Sequence, residues 1–201
     1  MPPLVILLHG VRAAGVDMNW LADALSQHVD GALFAQPDAP FPDDLAGVGR
    51  QWFSTKDITD DDRPARVEAA RGAFDAVLAA ILDRYRRADL RGVALVGFSQ
   101  GAIMALDAVV SGRWPVAACV AFSGRLTVAA PRSVKVPLLL AHGLDDGVVP
   151  ATETKTAARL LRGSGADVRQ VLLPGLGHAI SAEGAARAGR FLARRLTSET
   201  A

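Results

Sequence analysis

The stretch Val93–Gly101, with the sequence VALVGFSQG, decides how this chain folds. Its apolar first half predicts a buried strand, and its second half is a Gly-x-Ser-x-Gly pattern that leads into a helical segment. In such a strand–turn–helix unit the glycines permit a sharp turn with the serine hydroxyl exposed at its tip. A serine needs this setting to act as a nucleophile, because a base and a backbone N–H must both reach its oxygen. An ordinary turn after a buried strand has the same pattern, so other segments must decide between the two interpretations.

Short apolar runs alternate with longer amphipathic segments along the chain. The apolar runs are continuous, as parallel strands buried on both faces require. We therefore predict an α/β fold with a doubly wound, mainly parallel sheet. The predicted strands are Leu4–Leu8, Ala32–Phe34, Val93–Val96, Val116–Phe122, Pro137–Ala141 and Val168–Leu173. The predicted helices lie near Asp17–His28, Pro64–Arg87, Gln100–Ser111, Thr152–Arg162 and Ser181–Leu196.

Length and composition limit the classes of function that suit this chain. Its 201 residues, half of them apolar, fit a single domain spanning residues 1–201. The formal net charge of +1 gives no reason to expect nucleic acid or an anionic membrane as a partner. No apolar run approaches the roughly 20 residues that cross a bilayer, so we expect no stable membrane insertion. The sequence does not indicate an oligomeric state.

The single cysteine and the N-terminus favour a reducing compartment. Cys119 lies in the apolar run Val116–Phe122, where we expect a buried core thiol. The first apolar run follows Met1-Pro2-Pro3 without a basic segment or a leader-length hydrophobic stretch. We therefore expect a cytoplasmic protein.

Chemically useful residue types follow two later predicted strands. In an open α/β sheet, ligands bind at the carboxyl ends of the strands. Asp145 and Asp146 follow Pro137–Ala141, and His178 follows Val168–Leu173. The order serine, aspartate, histidine is the order of an α/β-hydrolase triad. Spacing alone leaves either aspartate as the residue that orients the histidine.

His178 is the best candidate for a general base among the four histidines. An imidazole can take and return a proton near neutral pH, and His178 lies in a glycine-flexed loop at the start of the last helix. His9 and His142 each precede a glycine directly after a strand, where we expect structural hydrogen bonds to loop backbone. We expect His28 to be a solvated residue on a surface helix.

Two backbone N–H groups are candidates for an oxyanion hole. One belongs to Gln100, the residue after the candidate nucleophile. The other belongs to Val11, because Leu7-Leu8-His9-Gly10 predicts a strand that runs into a tight turn beside the site. The irregular stretch Gln36–Arg63 contains three prolines and two glycines. A loop of that length is usually functional, and we expect it to form one wall of a substrate pocket.

Several motifs in a fixed order make the chain similar to a known family. The matching segments are Leu7–Gly10, Gln36–Pro40, the pair Trp52-Phe53, Gly97–Gly101, Ala121–Gly124, His142–Pro150 and Gly177–Ser181. Together they resemble the phospholipase/carboxylesterase family of α/β-hydrolases, which includes bacterial carboxylesterases and acyl-protein thioesterases. The similarity extends over nearly the whole chain.

The resemblance implies a fold, a catalytic set and a reaction. The fold would be a minimal α/β-hydrolase without a cap domain. The triad would consist of Ser99, Asp146 and His178, so the family pattern favours Asp146 over Asp145. The reaction would be hydrolysis of small to medium carboxylic esters through an acyl-enzyme. No metal or organic cofactor is implied, because the sequence has no metal-ligand spacing, dinucleotide fingerprint or P-loop.

Two features bear on substrate binding. The resemblance implies that Trp52 and Phe53 lie beside the pocket, where they could cover an acyl or alcohol group, with Phe41 as a further candidate. Simple packing within the loop is the alternative for each of them. The segment after His9-Gly10 is usually glycine-rich, whereas this chain has Val11-Arg12-Ala13-Ala14-Gly15. Arg12 is therefore a candidate for attracting a carboxylate or phosphate of the substrate, and a solvated side chain is the alternative.

The sequence is also compatible with two alternative functions. The same triad could act on a thioester or a lysophospholipid, because the leaving group changes while the residues stay in place. From a different class, the chain could be a binding protein on a hydrolase scaffold with little turnover. The complete serine, aspartate and histidine set argues against that second alternative.

Overall fold

The computed structural model describes residues 1–128 and 134–196. Six parallel strands form one sheet: Leu4–Leu8 (β1), Leu33–Ala35 (β2), Val93–Phe98 (β5), Ala118–Phe122 (β6), Leu138–Gly143 (β7) and Val168–Leu173 (β8). Their order across the sheet is β2-β1-β5-β6-β7-β8. All six predicted strands are present, and the α/β class is confirmed.

Helices cover both faces of the sheet, as a doubly wound fold requires. They are α1 (Asn19–Ser26), α2 (Arg63–Arg84), α3 (Gln100–Val110), α4 (Ala151–Gly163) and α5 (Ala182–Leu196). One layer of core side chains joins α2, α3 and α4 to the sheet, and a second joins α1 and α5 to its other face. This arrangement explains the continuous apolar strands, because alternate side chains enter opposite layers and both layers are buried.

Two segments differ from the sequence prediction. The first helical segment starts with a 3₁₀ turn at Gly15–Met18, and α1 then ends at Ser26, before His28. The stretch Gln36–Arg63 is not wholly irregular, because Phe41–Pro42 (β3) and Arg50–Gln51 (β4) pair as a short antiparallel hairpin. Two-residue strands carry no periodic signal in a sequence.

Cys119 is fully buried in the first core layer. Burial raises the pKa of its thiol to about 12, because a thiolate is poorly stabilised away from water. The predicted core thiol is thus confirmed. Among the helices of residues 1–128 and 134–196, none has the length and hydropathy to cross a membrane.

Parallel pairing brings several loop starts to a single edge of the sheet. Register places Leu8 beside Gly97, and Phe98 beside Phe122. The segments that begin at His9, Ser99 and Ser123 therefore leave the sheet next to one another, and those that follow β7 and β8 leave it at the same edge. This carboxyl edge holds every residue predicted to do chemistry.

Candidate active site

Ser99 occupies a strained turn between β5 and α3. Its φ and ψ angles are 52° and −116°, an unusual conformation for a residue with a side chain. The turn is held from both sides: the Ser99 N–H donates to Phe122 O at 2.9 Å, and the Ile103 N–H donates to Ser99 O at 3.1 Å.

The flanking glycines are required by close backbone contacts. A Cβ at Gly97 would lie 2.4 Å from Gly101 O, and a Cβ at Gly101 would lie 2.2 Å from Leu8 O. Any side chain at either position would therefore push backbone apart. The Gly-x-Ser-x-Gly pattern is explained by packing of the turn against itself and against β1.

A chain of hydrogen bonds links Ser99 to two residues from the second half of the sequence. His178 Nε2 lies 2.9 Å from Ser99 Oγ, and His178 Nδ1 lies 2.7 Å from Asp146 Oδ2. The imidazole ring also packs on Phe98, with 4.9 Å between ring centroids. With Nδ1–H donating to the carboxylate, Nε2 is free to accept the serine proton, which is the arrangement of an activated nucleophile.

Asp146 is held as a carboxylate by converging donors. Its side chain is fully buried, and Oδ1 accepts hydrogen bonds from the N–H groups of Val148 and Val149, both at 2.9 Å. Burial by itself would raise the pKa of Asp146, but hydrogen bonds from His178, Val149 and Val148 outweigh it and lower the pKa below its ordinary value. Asp145 is exposed, and its backbone N–H donates to Leu176 O at 3.0 Å. Of the two adjacent aspartates, the structure places Asp146 at the imidazole.

Two peptide groups lie beside Ser99. Gln100 is the first residue of α3, so its N–H has no acceptor within the helix. Gly10 packs directly on the elbow: a Cβ there would lie 3.4 Å from Ser99 Cβ and 3.3 Å from the Phe98 ring. The peptide that joins Gly10 to Val11 therefore lies close to the serine.

The loop that carries Val11 is fixed by His9. The imidazole Nδ1 lies 2.6 Å from Gly10 O, and Nε2 accepts the Ala39 N–H at 2.9 Å. Burial lowers the pKa of His9, which keeps the ring in the neutral form that this donor-and-acceptor pair needs. The prediction that His9 has a structural role agrees with this geometry.

Trp52 and Phe53 lie in the core rather than at a pocket surface. Trp52 is fully buried and Phe53 is 3% exposed. The Trp52 indole N–H donates to His9 O at 2.9 Å, while the Gln100 side chain accepts the Trp52 N–H and donates to Phe53 O, both at 2.7 Å. With so little exposed surface, these two aromatic side chains cannot cover a substrate in this conformation. The structure agrees with loop packing for both residues: Trp52 supports the loop at His9, and Phe53 O accepts from the Gln100 side chain.

Arg12 pairs with a neighbouring carboxylate. Its backbone is left-handed, with φ 65°, and its N–H donates to Arg50 O of the hairpin at 2.8 Å. Its Nε lies 3.8 Å from Oδ2 of the buried Asp43, and its side chain is half exposed. The positive charge is thus partly balanced within the protein, and the half-exposed side chain fits the solvated alternative, while a role toward the substrate stays a prediction.

The other two histidines lie in contrasting surroundings. His142 is buried and its Nε2 lies 3.1 Å from Asp146 Oδ2, a contact that the sequence did not predict. His28 is half-buried and packs on α5, where a Cβ at Gly189 would come within 2.4 Å of its ring. It therefore packs the turn after α1 against α5 and is not simply a solvated residue.

The described residues form no metal-binding cluster. Within residues 1–128 and 134–196, no three His, Cys, Asp or Glu side chains converge as metal ligands would. Beside Ser99, the titratable groups that converge are His178, Asp146 and His142.

Comparisons with known proteins identify the class to which this fold and site correspond. The chain has the structure of an α/β-hydrolase: the solved structure of esterase PE8 superimposes with a TM-score of 0.86 and 34% identity, covering 96% of this chain and 93% of that one. The chain belongs to the phospholipase/carboxylesterase family, whose family model matches residues 2–196.

Individual relatives agree with that assignment. Esterase YpfH of Escherichia coli (strain K12) is 34% identical over 186 residues, which cover 88% of this chain and 76% of YpfH. Acyl-protein thioesterase 1 of Gibberella zeae is 26% identical, over 96% of this chain and 90% of that protein. The protein is accordingly a serine hydrolase that acts on ester bonds.

Proposed function

We propose that this protein is a serine carboxylesterase that hydrolyses small to medium carboxylic esters with a triad of Ser99, His178 and Asp146. The observation that carries the proposal is the unbroken series of contacts from Asp146 Oδ2 to His178 Nδ1 at 2.7 Å and from His178 Nε2 to Ser99 Oγ at 2.9 Å. Nucleophile, base and orienting carboxylate are thereby within hydrogen-bond reach of one another.

The first half of the reaction forms an acyl-enzyme. His178 Nε2 takes the proton of Ser99 Oγ as that oxygen attacks the acyl carbon of the ester. Asp146 holds the ring and stabilises the imidazolium that forms. The N–H groups of Gln100 and Val11 donate to the oxygen that becomes negative. The C–O bond to the alcohol then breaks, and His178 returns the proton to the departing alcohol.

The second half releases the acid. His178 removes a proton from water, whose oxygen attacks the acyl carbon of the acyl-enzyme. The oxyanion again lies at the N–H groups of Gln100 and Val11, and its collapse breaks the bond to Ser99 Oγ. His178 protonates that oxygen, and the free enzyme is restored with one ester converted into an acid and an alcohol.

The test of the nucleophile is covalent labelling with a fluorophosphonate, mapped by mass spectrometry. We expect stoichiometric labelling at Ser99 in the native protein and none in heat-unfolded protein or in the His178→Ala variant. Ser99→Ala should lose about 10⁶-fold in turnover of p-nitrophenyl butyrate, as comparable triads do. Ser111→Ala, at the opposite end of α3, is the matched control and should keep wild-type turnover. Absence of labelling on well-folded protein would favour the binding-protein alternative.

A pH profile tests the role of His178 as base. The proposed first step needs a neutral imidazole, so turnover should fall as the pH is lowered from 8 to 5. A profile that stays flat over that interval would contradict the assignment of a histidine base.

A thioester substrate is the second candidate. It is favoured by the similarity to a protein named acyl-protein thioesterase 1, and the triad would act on a thioester by the same steps, with a thiol as the leaving group. Comparing kcat/KM for oxygen esters and thioesters of matched acyl chains separates the two, and lysophospholipids belong in the same panel. We also propose a small-molecule partner in a cytoplasmic setting.

A further inference from the structure

We propose that His142 is a positioning residue for the candidate catalytic carboxylate of Asp146. The juxtaposition that carries this inference is a buried imidazole whose Nε2 lies 3.1 Å from Asp146 Oδ2, the same oxygen that contacts His178. The inference rests on the proposed function, because positioning matters only if Asp146 orients a base.

The tautomer of His142 follows from its partners. Nε2 faces two acceptors, Val149 O at 2.8 Å and Asp146 Oδ2 at 3.1 Å, so this nitrogen carries the proton. Nδ1 lies 2.7 Å from Thr154 Oγ1 and accepts the threonine hydroxyl. Thr154 is itself buried on α4. The helix therefore fixes which ring nitrogen faces the carboxylate.

His142 acts on Asp146 by two routes. Directly, its N–H edge faces Oδ2 and stabilises the negative charge there. Indirectly, it donates to Val149 O, and the N–H of the same Val149 donates to Asp146 Oδ1 at 2.9 Å. The three residues close a ring in which both carboxylate oxygens are held in place. Because Asp146 has no exposed side-chain surface, water does not replace a lost contact easily.

Few other charged groups face the cycle of contacts formed by His142, Val149 and Asp146. The titratable groups in contact are Asp146, His142 and, from the β8–α5 loop, His178. Asp145 on the same loop is exposed, and Glu153 at the start of α4 lies 3.9 Å from Arg125. Ser99 faces the assembly from α3, on the far side of His178.

The effect on catalysis has a defined sign. Removing the His142 donor leaves the negative charge of Asp146 less dispersed, so the carboxylate attracts the protonated form of His178 more strongly. The base is then protonated at higher pH. We expect the acid limb of kcat/KM to move upward by about half a pH unit, and kcat to fall about tenfold to a hundredfold with KM nearly unchanged, because the close contact with the carboxylate and the hydrogen bond that holds Val149 are both lost.

The experiment compares His142→Leu with His142→Gln. Leucine removes the donor, whereas the glutamine amide places an N–H where Nε2 was and should restore much of kcat and the wild-type acid limb. His28→Leu is the matched control, because it removes a histidine that lies in the turn after α1 and packs on α5, away from Ser99. Circular dichroism and thermal melting establish that each variant is folded. Thr154→Val is the milder substitute if His142→Leu does not fold, and it should move the acid limb in the same direction.

A second readout does not depend on turnover. The ring protons of His178 are titrated by NMR in the wild type and in each variant. A higher protonation midpoint in His142→Leu, with return in His142→Gln, supports the inference even on a protein that hydrolyses no ester in the panel. An unchanged midpoint and acid limb, with loss of melting temperature only, would overturn it and leave His142 a packing residue. Failure of Ser99 to take a fluorophosphonate would instead overturn the proposed function.

Discussion

The same local sequence, a buried strand followed by His-Gly, occurs twice at the carboxyl edge and holds different parts of the site. After β1, both ring nitrogens of His9 bind backbone, Gly10 O and Ala39 N–H, and so fix the loop of Val11. At the end of β7, His142 binds Thr154 and Val149 and lies beside Asp146. Both rings are buried. The role of such a histidine is therefore set by the segments that the topology brings against it, and not by its local sequence.

Of the substitutions near the two His-Gly pairs, Asp146→Asn should have the largest effect, because it changes the carboxylate beside His142. The amide would present a donor or a neutral oxygen to His178, so the ring would no longer be held with Nε2 free to accept the serine proton. We expect kcat to fall about 10⁴-fold, as in other triads with this change. Asp145→Asn is the matched control, because that side chain is exposed, and steady-state kinetics on one ester should show wild-type kcat. Equal losses in the two variants would contradict the placement of Asp146.

The glycines of the two His-Gly pairs differ in how much space surrounds them. A Cβ at Gly143 would lie 2.1 Å from Leu176 O and 2.5 Å from Gly177 O, in the loop that carries His178. Gly143→Ala should therefore displace His178, the proposed base, and lower kcat/KM about a hundredfold, since misplacement by about 1 Å costs that much. For a Cβ at Gly10, the three nearest atoms would all be side-chain atoms of Phe98 and Ser99, at 3.3–3.5 Å.

Gly10→Ala should accordingly be the milder change. The Phe98 ring can shift by a few tenths of an ångström, so we expect a loss of about tenfold or less in kcat/KM and a cost of about 1 kcal/mol in stability. Kinetics and urea unfolding of the two variants side by side provide the measurement. A loss in Gly10→Ala that exceeds the loss in Gly143→Ala would show that the loop after β1 is the more rigid of the two.

Much of the fold could be predicted from the sequence because its signals are local. Continuous apolar runs identified all six strands, and Gly-x-Ser-x-Gly identified the turn at Ser99, where the glycine contacts lie within a few residues or against β1. The choice of Asp146 over Asp145 was different, because it needed the family pattern. Two adjacent residues at a turn point in different directions, and no periodicity indicates which.

What could not be predicted depends on contacts between distant segments. Trp52 was a candidate for a pocket surface, with loop packing as the alternative, and Gln100 and His9 hold it in the core from 48 and 43 residues away. The partner of Arg12 was not predicted, because the hairpin brings Asp43 to it. The hairpin itself went unpredicted because its strands are two residues long. Contacts of this kind are set by the packed fold.

The smallest expected effect concerns stability on the His9 side. Burial lowers the pKa of His9 from its ordinary value of 6.5, so the unfolded chain binds a proton at a pH where the folded protein does not. The stability that this difference contributes is complete above pH 6.5 and is lost as the pH falls through the folded-state pKa. Over that interval one such group changes the free energy of unfolding by at most about 1.4 kcal/mol per pH unit.

His9→Gln removes this titration. Glutamine does not ionise, and its amide oxygen can accept the Ala39 N–H that His9 Nε2 accepts now. Urea unfolding at intervals between pH 4.5 and pH 7.5 should show a shallower decline for His9→Gln than for the wild type. Asp146 does not interfere there, because its pKa is lowered from 3.8 and its contribution is lost only below that pH. His28→Gln, at the half-buried contact with α5, controls for removal of a histidine, and parallel declines in the wild type and His9→Gln would show that His9 is not held neutral by burial.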